Sequence, residues 1–142
     1  MTLRTEIDIA APVERVWAVL TDFPAFPEWN PFLREVDGVL APRARLRVRI
    51  QPPGGRAITF RPVVLRVEPS RHLAWRGHTL VPGLFDGEHA FTLEPLGAGV
   101  RLVHGENFSG VLVPLLRRSL ETTTRQGFEA MNAALKARCE SR

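Results

Sequence analysis

Hydrophobic residues along this chain change period three times, and the pattern divides it into three zones: a strand and short helices, a run of strands, and a long helix. At the start, Leu3, Thr5, Ile7 and Ile9 alternate with Arg4, Glu6 and Asp8, the period-two pattern of a half-buried strand. Ala11-Pro12 stops that strand, and Val13, Val16, Trp17 and Leu20 then recur at helical spacing, with Pro12 suited to a first helical turn. Thr21-Asp22 offers a new cap. The segment from Phe23 to Phe32 holds three prolines among four aromatics, too broken for more than a turn or two of helix.

From Leu33 the period is two again. The pattern predicts strands near Leu33 to Leu40, Arg43 to Gln51, Ala57 to Glu68, His72 to His78, Leu84 to Glu94 and Val100 to Phe108. Short links rich in Pro and Gly join them, so sequential strands should pair antiparallel. Pro62 falls inside a predicted strand and should mark an edge or a bulge, which leaves the facing of Phe60 open. After Gly110 the third zone begins: Val113, Leu116, Leu120, Thr124, Gly127, Phe128, Met131, Ala134 and Leu135 recur three or four apart, one long amphipathic helix with Pro114 in its first turn. Arg117, Arg118, Glu121, Arg125, Glu129 and Lys136 form its wet face.

A strand, two short helices, six strands and a long helix make an α+β order, with helices on one side of an antiparallel sheet. A long helix laid over such a sheet can enclose a cavity. The 142 residues fit one domain, 1–142, with room for a substantial core. Nothing at the start resembles a signal peptide and no apolar run reaches membrane-spanning length, so the expected location is cytoplasmic, with no membrane insertion. The single cysteine, Cys139, cannot form an intrachain disulfide and reads as an incidental thiol. Net charge is +4, with Lys136 the only lysine. Arg43, Arg45, Arg47 and Arg49 alternate with Leu46, Val48 and Ile50, the signature of a strand with one wet face, so no nucleic acid partner is expected.

The candidate chemistry lies on the last two predicted strands. Leu102, His104, Glu106 and Phe108 share one face, as do Phe85, Gly87, His89, Phe91 and Leu93, so an inward apolar face carries His89, His104 and Glu106 inward too. A buried carboxylate must be paired, hydrogen-bonded or protonated. Three readings stay open: a self-satisfied network holding the sheet in register, a polar anchor for a ligand, or an acid/base set acting on a carbonyl compound. The candidate ligand-contacting residues are Trp17, Leu20, Phe23, Phe26, Trp29, Phe32, Trp75, Phe85, His89, Phe91, His104, Glu106, Phe108, Leu116, Leu120 and Phe128. Of these, Phe23, Phe26, Trp29 and Phe32 sit in the proline-broken segment, which suits a cavity mouth. The spacing of His72, His78, His89 and His104 matches no zinc pattern, and no phosphate loop or nucleophile elbow occurs, so neither metal nor cofactor is implied. A dry cavity of roughly 300 Å³ would forfeit about 7 kcal/mol, so a large pocket must hold water or ligand or be filled by side chains.

Several stretches together resemble the START-like, or SRPBCC, helix-grip superfamily, in its bacterial polyketide cyclase/dehydrase-type branch. They are Ile9-Ala-Ala-Pro-Val-Glu-Arg-Val-Trp17, Asp22-Phe-Pro-Ala-Phe-Pro-Glu-Trp-Asn-Pro31, Leu73-Ala-Trp-Arg-Gly77, His89-Ala-Phe91, Gly99-Val-Arg-Leu-Val-His-Gly-Glu-Asn-Phe-Ser-Gly110 and Met131-Asn-Ala-Ala-Leu-Lys136. The resemblance spans essentially the whole chain and rests on their order and spacing. It implies a curved seven-stranded antiparallel sheet gripping the C-terminal helix, with a cavity between them for a hydrophobic or amphipathic small molecule: a lipid, a polyketide-like or an aromatic compound. Two alternatives stand beside binding: a cyclase/dehydratase-type enzyme using His104, Glu106 and His89 for proton transfer, and a co-chaperone-like protein-interaction module. A monomer or weak homodimer is expected.

Overall fold

The computed structural model describes residues 1–141 and is α+β. Strand β1 (Thr2–Ile9) leads into helix α1 (Val13–Thr21), a 3₁₀ turn (Phe23–Ala25) and a single helical turn, α2 (Phe26–Trp29). Pro12 stands just before the first helical residue with an extended backbone, and its carbonyl accepts from the N–H groups of Arg15 and Val16. Buried Asn30 closes the proline-rich stretch: its Oδ1 accepts from the backbone N–H of Phe32 and Leu33, satisfying donors where the chain turns into the next strand.

Seven strands follow: β2 (Leu33–Asp37), β3 (Arg47–Ile50), β4 (Ile58–Phe60), β5 (Val63–Glu68), β6 (His72–His78), β7 (Asp86–Leu96) and β8 (Gly99–Ser109). They form two antiparallel sheets, a five-stranded one in the order β1-β8-β7-β6-β5 and a three-stranded one in the order β2-β3-β4. The described residues thus form eight strands where the pattern led us to expect seven, because the predicted strand from Ala57 to Glu68 is cut at Pro62. Proline has no N–H to donate to a ladder. Its carbonyl instead accepts from Leu46 N–H, and with the Val64-to-Ala44 bond and an isolated Arg45–Val63 bridge it ties the two sheets together across the break. The predicted strands at 33–40 and 43–51 are shorter than expected, since Gly38 (φ 129°) and Arg43 (φ 70°) turn the chain between them.

The C-terminal helical run comprises α3 (Val113–Ser119), a π-helical turn (Leu120–Thr124) and α4 (Arg125–Glu140). The backbone stays right-handed helical through both junctions. In α4, Phe128, Met131, Asn132 and Leu135 face the sheet and are fully buried, and α4 packs along β1 with α1 at its flank. Cys139 is buried here rather than frayed, and the Arg15 guanidinium donates to its carbonyl. Leu46 and Val48 face inward while Arg45 and Arg49 are exposed, so this segment has the one wet face expected of it.

Candidate functional site

The register of β7 and β8 assembles the site. His89 pairs directly with Glu106 and Phe91 with His104, while Trp75 on β6 pairs with His89 and Thr5 on β1 with His104. One inward stripe therefore carries a row of polar groups through an aromatic wall. A cavity of about 160 Å³ opens beside that row, between the two sheets and the π-helical turn. The three-stranded sheet and the segments around it contribute Phe32, Val48, Ile50, Ile58 and Phe60; the five-stranded sheet and its entry loop contribute Trp75, Phe85, Gly87, His89, Glu106 and Phe108; the π-helical turn contributes Leu120 and Thr124. Left dry, a void of this volume would cost about 4 kcal/mol at ~24 cal/mol per Å³, a large part of a stability of about 5–15 kcal/mol.

The polar row is a connected chain. Glu106 Oε1 lies 3.1 Å from His89 Nδ1, His89 Nε2 lies 2.7 Å from His104 Nε2, and His104 Nδ1 lies 2.8 Å from Asn132 Oδ1. Asn132 Nδ2 donates to Thr5 Oγ1 (2.8 Å), and the Thr5 hydroxyl donates to the His104 carbonyl (2.7 Å). Because the Thr5 hydroxyl is spent on a carbonyl, it must accept from the Asn132 amide, which turns Oδ1 toward His104. His104 Nδ1 is accordingly the protonated nitrogen. Burial, and next the neighbouring His89, hold His104 well below the usual histidine range, so the ring is neutral and its Nε2 is a bare acceptor. His89 Nε2 must donate to it. That leaves one proton for His89 Nδ1 and Glu106 Oε1 to share, either as an imidazolium–carboxylate pair or as a neutral imidazole facing a carboxylic acid.

Aromatic rings fix these imidazoles. Phe128 stacks on His104 with centroids 4.2 Å apart and planes 4° apart, Phe91 packs against its ring at 4.4 Å, and Trp75 stacks on His89 at 5.3 Å. Gly87 clears space for the carboxylate: a Cβ there would meet Glu106 Oε2 at 2.0 Å. Gly127 does the same for Phe32, whose ring carbons would lie 2.5 Å from an added Cβ.

Of the residues singled out in the sequence, Phe32, Trp75, Phe85, His89, Glu106, Phe108 and Leu120 line the cavity. His104, Phe91 and Phe128 form the buried layer behind it. Leu20, Phe23 and Phe26 lie elsewhere in the core, with Phe23–Phe26 and Phe26–Trp29 in edge-to-face pairs at 5.4 and 5.1 Å. Trp17 and Leu116 are half-buried against the core and do not line the cavity. Trp29 borders a separate polar cleft with Arg15, Asp22 and Arg138. Thus only Phe32 of the proline-broken aromatics reaches the cavity. Phe60 and Pro62, whose facing was open, both line it. Sequence reasoning did not single out Asn132, Thr5, Gly87 or Thr124 as site residues. Asn132 was detectable in principle as a polar residue between Met131 and Leu135 on an otherwise apolar helix face. Among the described residues, no group of three or more His, Cys, Asp or Glu side chains is placed to share a metal ion, and no helix is long and apolar enough to cross a membrane.

A family model described as polyketide cyclase/dehydrase and lipid transport matches residues 1–140. The chain belongs to that family. Solved structures share its fold: an aromatase/cyclase from a Streptomyces species (18% identity, TM-score 0.80, 99% of this chain and 93% of that one), and a START superfamily protein from Mycobacterium smegmatis (21%, 0.78, 98% and 97%). A protein from Mesorhizobium loti is 25% identical with a TM-score of 0.74, over 96% of this chain and 95% of that one. A search of curated proteins finds no match. As a member of the family, the chain has the START-like helix-grip architecture, and the α4 helix lies in the grip of its sheet.

Proposed function

We propose that this protein is a single ligand-binding domain that takes up a small hydrophobic or amphipathic molecule between sheet and C-terminal helix. The observation that carries the reading is an apolar, aromatic-walled cavity broken on its inner wall by one carboxylate–imidazole pair, Glu106 and His89. Apolar walls with a few convergent polar groups are what small-molecule sites are made of. The family description, polyketide cyclase/dehydrase and lipid transport, supports the same class of ligand. Size narrows it: a cavity near 150 Å³ accommodates one benzene-sized ring, so a longer lipid or polyketide would extend past the rim at exposed Ile58 and His78 or push the sheets apart.

The outer face of the five-stranded sheet bears Arg4, Glu6, Asp8, Arg76, Glu88 and Arg101, with Arg101 bonded to Asp8 at 2.9 Å, and so lacks the apolar patch a protein-docking surface needs. Proton-transfer chemistry is the second reading, favoured by the proton that His89 and Glu106 share at the cavity wall. Native mass spectrometry of protein purified from its source, followed by thermal shifts with lipids and single-ring aromatics, tests the binding reading. A bound small molecule or a concentration-dependent rise in Tm is expected; an empty protein that no such compound stabilises would overturn it.

A further inference from the structure

Glu106 divides its two oxygens between protein and cavity. Oε1 is engaged by His89, whereas Oε2 has no hydrogen-bond partner among the described residues and sits over Gly87, beside the cavity. The direction of the chain behind it decides what Oε2 can do. Thr5 donates to a carbonyl, Asn132 to Thr5, His104 to Asn132 and His89 to His104, so the last proton belongs to the contact between His89 Nδ1 and Glu106 Oε1. Whichever of those two atoms carries it, Oε2 carries none. It is an acceptor with open lone pairs, facing a space the size of one ring and walled by aromatic rings.

Building on the binding reading, we infer that the ligand class is a hydroxyl-bearing single-ring compound, phenol-like, whose O–H donates to Glu106 Oε2 while its ring lies among Trp75, Phe85 and Phe108. A ligand offering only a carbonyl or ether oxygen would bring one acceptor against another at this wall. Glu106 is thereby the residue that selects donors over acceptors, and Gly87 is what lets its carboxylate lie along the wall.

The test compares phenol, anisole and toluene as probes by calorimetry and ligand-detected NMR. Phenol is expected to bind about tenfold tighter than anisole, the ratio conferred by one hydrogen bond to a carboxyl oxygen. Equal binding of phenol and anisole, or no binding of any of the three, overturns the inference; the binding reading falls only if native mass spectrometry and thermal shifts with lipids fail as well. Glu106→Leu should bring phenol down to the level of anisole, and a retained preference would overturn the assignment to Glu106. Glu106→Gln should keep the preference, because its amide N–H can donate to His89 Nδ1 and turn its oxygen to the cavity. The wild-type comparison is decisive by itself if the leucine variant fails to fold.

Discussion

The carboxylate of Glu106 occupies the place a side chain at position 87 would need: a Cβ on Gly87 would stand 2.0 Å from Oε2. No hydrogen bond joins the two residues, yet one permits the conformation of the other. Gly87→Ala should fold, because the clashing atom is the end of a side chain that can swing away. It should lose the His89–Glu106 contact, weaken binding of a ring compound about tenfold, and lower stability by about 1–3 kcal/mol because buried His89 is left without that partner. Nitrogen-15 shifts of His89 read the contact directly; an alanine variant with unaltered His89 resonances and affinity would show that Glu106 has a second seat.

Gly127 sets intrinsic helix preference against packing. In an exposed helix, Gly→Ala is worth up to about 1 kcal/mol of added stability. Here the new methyl would meet the Phe32 ring at 2.5 Å, and that ring is held against Phe128 with centroids 5.5 Å apart. Overpacking of this kind costs about 1–3 kcal/mol, so Gly127→Ala should be destabilising in denaturant unfolding. In a Phe32→Leu background the sign should reverse. A stabilising alanine in the wild-type background would mean that Phe32 moves freely.

His104 gives stability a defined pH dependence. Its ordinary value is 6.5, and in the folded protein burial and the nearby His89 hold it well below that. As pH falls through 6.5 the unfolded chain gains a proton that the folded ring refuses, so protons favour unfolding. The contribution of His104 is complete above 6.5 and is lost progressively below it, by up to about tenfold in the folding equilibrium per pH unit. Unfolding curves across this range measure the slope. Nitrogen-15 spectra should show native His104 still neutral, with its proton on Nδ1, below pH 6.5; a native His104 that gains its proton at the ordinary value would contradict the arrangement.

Cys139 should be inert. Burial pushes its thiol up to about 11. At neutral pH the reactive thiolate is scarce, and the surrounding side chains exclude reagents. Ellman's reagent should modify the native protein no faster than the protein opens, and at full speed in denaturant. Stoichiometric labelling within seconds under native conditions would show that the end of α4 is loose.

Much of the fold was legible because burial on one face leaves a periodic mark. Period two located β1 and the strands from β6 to β8 nearly to their ends, and the spacing of three and four from Val113 to Leu135 outlined the C-terminal helix. The same alternation placed His89, His104 and Glu106 on one inward stripe. Boundaries failed where a single residue's backbone overrode the pattern: Pro62 split one strand, and Gly38 and Arg43 shortened two others. The π-helical turn left no distinct trace, since Leu116, Leu120 and Thr124 recur four apart, as they also could in an ordinary helix.

The site was only partly legible, because alternation says which face a residue takes and not which neighbour it meets. Phe23, Phe26 and Phe32 look alike in a proline-rich segment, yet Phe32 reaches the cavity and the other two pack away from it. Asn132 and Thr5 are 127 positions apart and meet only because α4 lies across β1.

By itself, the order of polar and apolar residues determined the α+β class, the inward placement of two histidines and a glutamate, and the helix that covers them. Those are properties of local periodicity, which each segment carries alone. The tertiary structure decided that His104 carries its proton on Nδ1 and that His89 donates from Nε2, that Glu106 keeps one oxygen free, and that the space beside it is about 160 Å³. Each of these depends on distances between strands and helix, set by how whole elements pack.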